Sequence, residues 1–211
     1  MLAAACGSSP ATGDVAAAAS GPANERRTGP ADDAVAMRDL QASEKFSAPH
    51  CRWLESGAWV QGSPQEEALY TAAAQSQYIE MTQTGQQWYL NRADAPVFRV
   101  ALTDRGRAAS KTCGPTSKAA TWGVPVSERT FIAARFVEQM PSNRTAYEVD
   151  YRWTPTAVGA QVLHVLTGHM AVQHGTFRTK VYMRKGRDHS VPTPTQWTVI
   201  AIEEREAQRI Q

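Results

Sequence analysis

His164, His169 and His174 fall in one stretch with Met170 beside the second, and imidazole nitrogens with a thioether sulfur make a donor set for zinc or Cu(I). Their spacing of five residues opposes that chemistry. It rotates successive side chains by about 140° around a helix and sends them to opposite faces of a strand, so polar loop or surface positions are expected rather than a metal site. His50 beside Cys51 offers the residue types of a nucleophile and its base, yet neighbours on an extended chain point to opposite faces. The acid pairs Glu66/Glu67 and Glu203/Glu204 are sequence neighbours too, and diverge rather than share a proton. No G-x-S-x-G, Walker loop, H-E-x-x-H or dinucleotide fingerprint occurs. The expectation is a non-enzymatic protein with no catalytic residue, metal or dissociable cofactor.

A charged strand is more distinctive. "GTFRTKVYMRKG" alternates Phe177, Thr179, Val181 and Met183 with Arg178, Lys180, Tyr182 and Arg184, and Lys185 and Arg187 extend the charge. An aromatic ring among cations suits a sugar ring, an anionic glycan or a partner protein, while a charged solvent face of an antiparallel strand is the plainer account. Arg178, Lys180, Tyr182 and Arg184 are the candidate partner-binding residues.

The elements that position these residues show clear signals. In "GSPQEEALYTAAAQ", Ser63 is an N-cap, Pro64 takes the first helical position and Glu66 completes a capping box, which predicts a helix from Pro64 to about Gln75. "QYIEMTQTGQQWYL" reads as a strand entering a loop or hairpin, and Val97 to Leu102 as a second strand before Thr103 caps a short helix. "SERTFIAARFVEQ", "TAYEVDYRWTP", "GTFRTKVYMRKG" and "TQWTVIAIEE" are strand-like; the second sets Tyr147, Val149, Tyr151 and Trp153 against Glu148, Asp150 and Arg152. The expected fold class is α+β, a small helix-plus-hairpin unit packed with a four-stranded antiparallel sheet.

Residues 7 to 44 contain no aromatic side chain, whereas all 6 Trp, 6 Tyr and 5 Phe lie at Phe46 or beyond. A stretch so poor in large apolar groups cannot offset its ordering entropy. One globular domain is expected over 45–211, divided into a helix/hairpin part (45–112) and a sheet part (113–211), behind a flexible tether at 6–44. A net charge of +2 is too small for a nucleic-acid field, so nucleic acid is not an expected partner. No segment approaches the ~20 apolar residues that span a bilayer.

The opening "LAAACGSS", Leu2 to Ser8, resembles the lipobox of bacterial lipoproteins. That resemblance implies a covalent lipid on Cys6, removal of residues 1–5 as the remnant of a truncated signal peptide, and a membrane partner through the anchor. Gly7 and Ser8, in place of an acidic inner-membrane retention residue, imply the outer membrane, facing the periplasm. About 38 tether residues would give a reach of ~35 Å. With Cys6 assigned to lipid, Cys51 and Cys113 remain as a pair in an oxidising compartment, and a disulfide is expected, with free thiols as the alternative. Its 62-residue loop would be worth roughly 4 kcal/mol through the unfolded state.

"ALTDRGRAA" resembles the wing end of winged-helix domains, in which Arg105 and Arg107 would contact phosphate; export and near-neutral charge argue against that use. The LT-x-x-G-R segment ahead of a Cys and a curved sheet is similar to a loose group of uncharacterised proteobacterial lipoproteins. The expected function is an envelope lipoprotein that binds a partner protein or cell-envelope polymer. The alternative is a periplasmic small-molecule protein, for example in antibiotic protection, with a pocket between the helical unit and the sheet. A deep apolar pocket favours the second and a flat face the first.

Overall fold

Each alternating segment becomes a strand, because a period of two gives one face to bury and one to wet. The structure, a computed structural model, describes residues 30–115, 120–187 and 195–210. In chain order the elements are α1 (Pro30–Ala42), α2 (Glu44–Ser47), β1 (His50–Glu55), β2 (Gly57–Val60), α3 (Pro64–Gln75), β3 (Ile79–Tyr89), β4 (Arg92–Leu102) and α4 (Asp104–Thr112). Then follow β5 (Thr121–Met140), β6 (Arg144–Pro155), α5 (Ala157–Val162), β7 (Gly175–Arg187), β8 (Thr195–Ile202) and β9 (Gln208–Ile210), with single 3-10 turns at Gly168–Met170 and Glu204–Glu206. The fold is mixed α/β but mostly sheet. A curled antiparallel sheet runs β1-β5-β6-β7-β8 with β9 beside β7, and a separate three-stranded sheet runs β2-β4-β3.

The expected four-stranded sheet is therefore too small. Its four strands are present, but β1 and β9 join them. Neither carries an alternating pattern: β1 is short and intermediate in burial, and β9 has three residues. The helix-and-hairpin unit compared with winged-helix domains is a small one. A single helix, α3, precedes the β3–β4 hairpin, and the third strand of that sheet comes from β2, ahead of the helix.

Two register shifts in the 20-residue β5, at Phe131/Ala133 and Phe136/Glu138, bend it, as extra residues in one strand of a pair do. The bend divides the interior in two. The first half of β5 packs Trp122, Val124 and Val126 against Leu69, Tyr70 and Ala73 of α3 and Val158 and Val162 of α5. The second half joins β6, β7 and β8 in an aromatic wall that includes Tyr147, Tyr151, Trp153 and Trp197.

One device docks both α4 and α5. Thr103 Oγ1 donates to the Gln77 carbonyl at 2.7 Å and accepts the Gly106 N–H at 3.0 Å; Thr156 Oγ1 donates to the Pro125 carbonyl at 2.7 Å and accepts the Gly159 N–H at 3.1 Å. A side chain on Gly106 would collide with the Tyr78 carbonyl, and one on Gly159 with that of Val126. The Thr-x-x-Gly spacing thus serves close passage of a helix N-terminus over a strand end. Arg107 closes the first copy by donating to the Leu102 carbonyl and pairing with Asp104, and the Arg105 guanidinium lies 5.3 Å from the Tyr78 ring centroid.

Cys51 in β1 and Cys113 at the end of α4 form a disulfide with Cα atoms 5.9 Å apart. It links the large sheet to the helix that follows the small one. Gly123 leaves the room, since a side chain there would collide with Cys113.

The tether expected at 6–44 is corrected at its end. Residues 30–42 are helix, with Ala36 and Leu40 fully buried on the aromatic wall, and Phe46 of α2 beside them. Small side chains suffice because the sheet contributes the large ones. Asp33 Oδ1 accepts from Tyr147 OH and Asp39 Oδ2 from the Trp197 N–H, both at 2.9 Å. Residues 1–29, and with them Cys6, lie outside the described residues. No helix among the described residues is long and apolar enough to cross a membrane.

Candidate functional site

The outer face of the large sheet holds the four residues singled out from the sequence. Register places Arg178 opposite Asp150, Lys180 opposite Glu148, Tyr182 opposite Ala146 and Arg184 opposite Arg144. Opposite charges at cross-strand positions pair readily. Arg178 donates through Nε and Nη2 to the two Asp150 oxygens at 2.6 and 2.8 Å, and its Nε lies 2.8 Å from Glu148 Oε1. Glu148 also takes Arg135 of β5. Tyr182 OH donates to Glu203 Oε1 at 2.6 Å.

These contacts set the titration of the face. The hydrogen bond from Arg178 holds the Asp150 carboxyl below the usual carboxylate range. The bond to Glu203 pushes the Tyr182 hydroxyl up to about 12, because ionisation would set two anions against each other. A shallow cleft of about 130 Å³ is lined by Glu148, Arg178, Lys180, Glu203, Glu206 and Gln208. The surface is mixed in charge, not the cationic strip expected from β7 alone. Lys185 leaves the set altogether, with its ammonium 5.9 Å from the Trp197 ring. The side chain of Arg187 lies outside the described residues.

Sequence reasoning missed a second polar constellation on the inner face. The Arg129 side chain is 3% exposed and pairs with Glu204, itself 56% exposed. Its guanidinium carbon lies 4.5, 4.9 and 5.2 Å from the ring centroids of Trp153, Tyr151 and Phe46. Weakly hydrated and planar, guanidinium suits an aromatic box where ammonium would not. Among the described residues, Arg129 Nε and Nη1 are buried without a hydrogen-bond partner.

His50 stands at the edge of this box, 6.1 Å from the Trp153 ring. Burial, then the charges of Arg52 and Arg129, push its pKa down to about 4 against the opposing pull of Glu204, so the imidazole is neutral at pH 7. Arg52 donates to the Ala171 carbonyl at 2.7 Å. A signal for Arg129 existed in "SERTFIAARF": it shares the phase of Phe131, which makes it an inward-pointing charge.

The other sequence candidates scatter. His164, His169 and His174 occupy exposed positions, and the His174 ring nitrogen Nδ1 lies 3.1 Å from the Val172 carbonyl. Among the described residues no group of three His, Cys, Asp or Glu is placed to hold a metal ion. Cys51 is tied to Cys113 and is no partner for His50. No protein-family model, curated protein or solved structure matches this chain.

Proposed function

We propose that the chain is a non-enzymatic envelope lipoprotein, held by a lipid on Cys6, whose outer sheet face docks a partner protein. The observation that carries this is the charge-mixed face built by β5, β6 and β7, in which Arg178 and Arg135 already meet Glu148 and Asp150. A polyanion gains little where carboxylates occupy the cations, whereas a protein surface with both signs can match Lys180 and Arg184 alongside Glu203 and Glu206. This favours the partner protein over an envelope polymer. Against a small-molecule role stands the filling of the space between α3 and the sheet by Tyr70, Leu69, Trp122, Val124 and Val126. The Cys51–Cys113 disulfide accords with an oxidising compartment.

The test uses the full chain expressed behind a complete signal peptide. Palmitate labelling and detergent partitioning should be lost in Cys6→Ser. Cross-linked capture from intact envelopes should yield one protein that a Lys180→Glu/Arg184→Glu variant no longer retains, with thermal midpoint unchanged within a few degrees. Retention of that protein by the charge-reversed face would overturn the docking surface, and membrane association of Cys6→Ser would overturn the anchor.

A further inference from the structure

The β3–β4 hairpin runs out to an exposed tip, with the Tyr89 ring beside Gly62 ahead of α3. Every residue from Thr82 to Asn91 is exposed, although β3 and β4 stay paired out to Tyr89 opposite Arg92. Its end is apolar: Trp88 is 68% exposed, Leu90 67% and Tyr89 38%. The turn makes this costly in conformation as well as in solvation. Leu90 and Asn91 both have positive φ, 46° and 65°, the geometry of a tight hairpin turn that favours Asn, Asp or Gly at its first position. Leucine there is strained, and most of its surface stays in water.

We infer that this tip inserts into the interfacial region of a lipid bilayer. Three arguments select a bilayer. Indole and phenol rings beside an aliphatic residue are the side chains that settle at headgroup depth. From Met81 to Ala93 the hairpin carries no acidic residue, so insertion of its end desolvates no carboxylate. A tip of three side chains falls far short of the ~800 Å² per partner of a stable protein interface, but a bilayer accepts a small wedge at any point of its surface.

Binding is tested on the full chain carrying Cys6→Ser, so that failure of the lipid anchor and failure of the tip are separate results. Vesicles of phosphatidylethanolamine and phosphatidylglycerol should co-sediment the protein, and brominated acyl chains should quench its tryptophan fluorescence. Trp88→Gln and Leu90→Asn together should lower the vesicle affinity by about tenfold or more and abolish the quenching. Leu90→Asn puts a residue suited to positive φ in the turn, so this substitution retains the fold and keeps the test readable. Absence of co-sedimentation, equal binding by the double variant, or quenching that persists through exposed Trp53 would overturn the inference.

Discussion

Arg129 and Arg178 lie on opposite faces of one sheet, each ion-paired to a carboxylate, and their circumstances differ in almost every other respect. Arg178 takes its partner from the adjacent strand by register, with water available to its remaining donors. Pairs at a wetted sheet face contribute little to stability. Arg129 reaches a glutamate 75 positions along the chain, beneath three rings, with two donors unmade. Desolvating a guanidinium costs several kcal/mol, and one pair seldom recovers it. The same residue type is therefore nearly free on one face and expensive on the other.

The widest separation of the two faces should come from volume and charge tested apart at Arg129. Arg129→Ala leaves a void under Trp153 and is expected to lose about 2–4 kcal/mol in chemical denaturation. Arg129→Met keeps most of the volume and removes the charge, and should be within about 1 kcal/mol of the parent or more stable. Equal losses would show that the guanidinium itself holds the aromatic box.

A smaller difference should appear with pH. The folded-state pKa of His50, about 4, lies below its unfolded value of 6.5, so the unfolded chain binds the extra proton between those limits. Stability is then full above pH 6.5 and declines as pH falls toward 4, by about 1–2 kcal/mol once partial exposure is discounted. Asp150 on the outer face acts in the same direction only below the ordinary carboxylate range, because its folded-state pKa is lowered from 3.8 by Arg178. Urea midpoints at pH 7.5 and 4.5 should differ in the parent and much less in His50→Gln. An unchanged slope in that variant would move the effect elsewhere.

The smallest effect belongs to the outer face. Arg178→Gln, Lys180→Gln and Arg184→Gln should each shift stability by less than ~0.5 kcal/mol. A loss above 2 kcal/mol for the triple variant would erase the contrast between the faces.

What could be read in advance followed local physics. The helix Pro64–Gln75 was legible because Ser63, Pro64 and Glu66 encode its start, and the observed capping box has those members. The alternation of Tyr147, Val149, Tyr151 and Trp153 named a buried face correctly. Helix α1 was not legible, since Ala36 and Leu40 suffice only when a sheet over 100 residues away supplies the aromatic surface. The carboxylates that neutralise β7 were hidden for a related reason: the pairing of Arg178 with Asp150 is set by strand register, which no single segment contains. Glu204 reaches Arg129 after three further strands, beyond any local signal.

The position of the disulfide also has a mechanical meaning. Load entering at residue 30 is carried first by α1, whose grip rests on Ala36, Leu40 and the hydrogen bonds to Asp33 and Asp39. Peeling can continue through α2 into β1, where it meets Cys51, 21 residues further on. At ~3.4 Å per extended residue the released strap is about 70 Å long. Beyond that stroke force passes through the covalent bond into α4, and the loop from 52 to 112 is relieved of it. Under a load applied there, the extension would end at the disulfide.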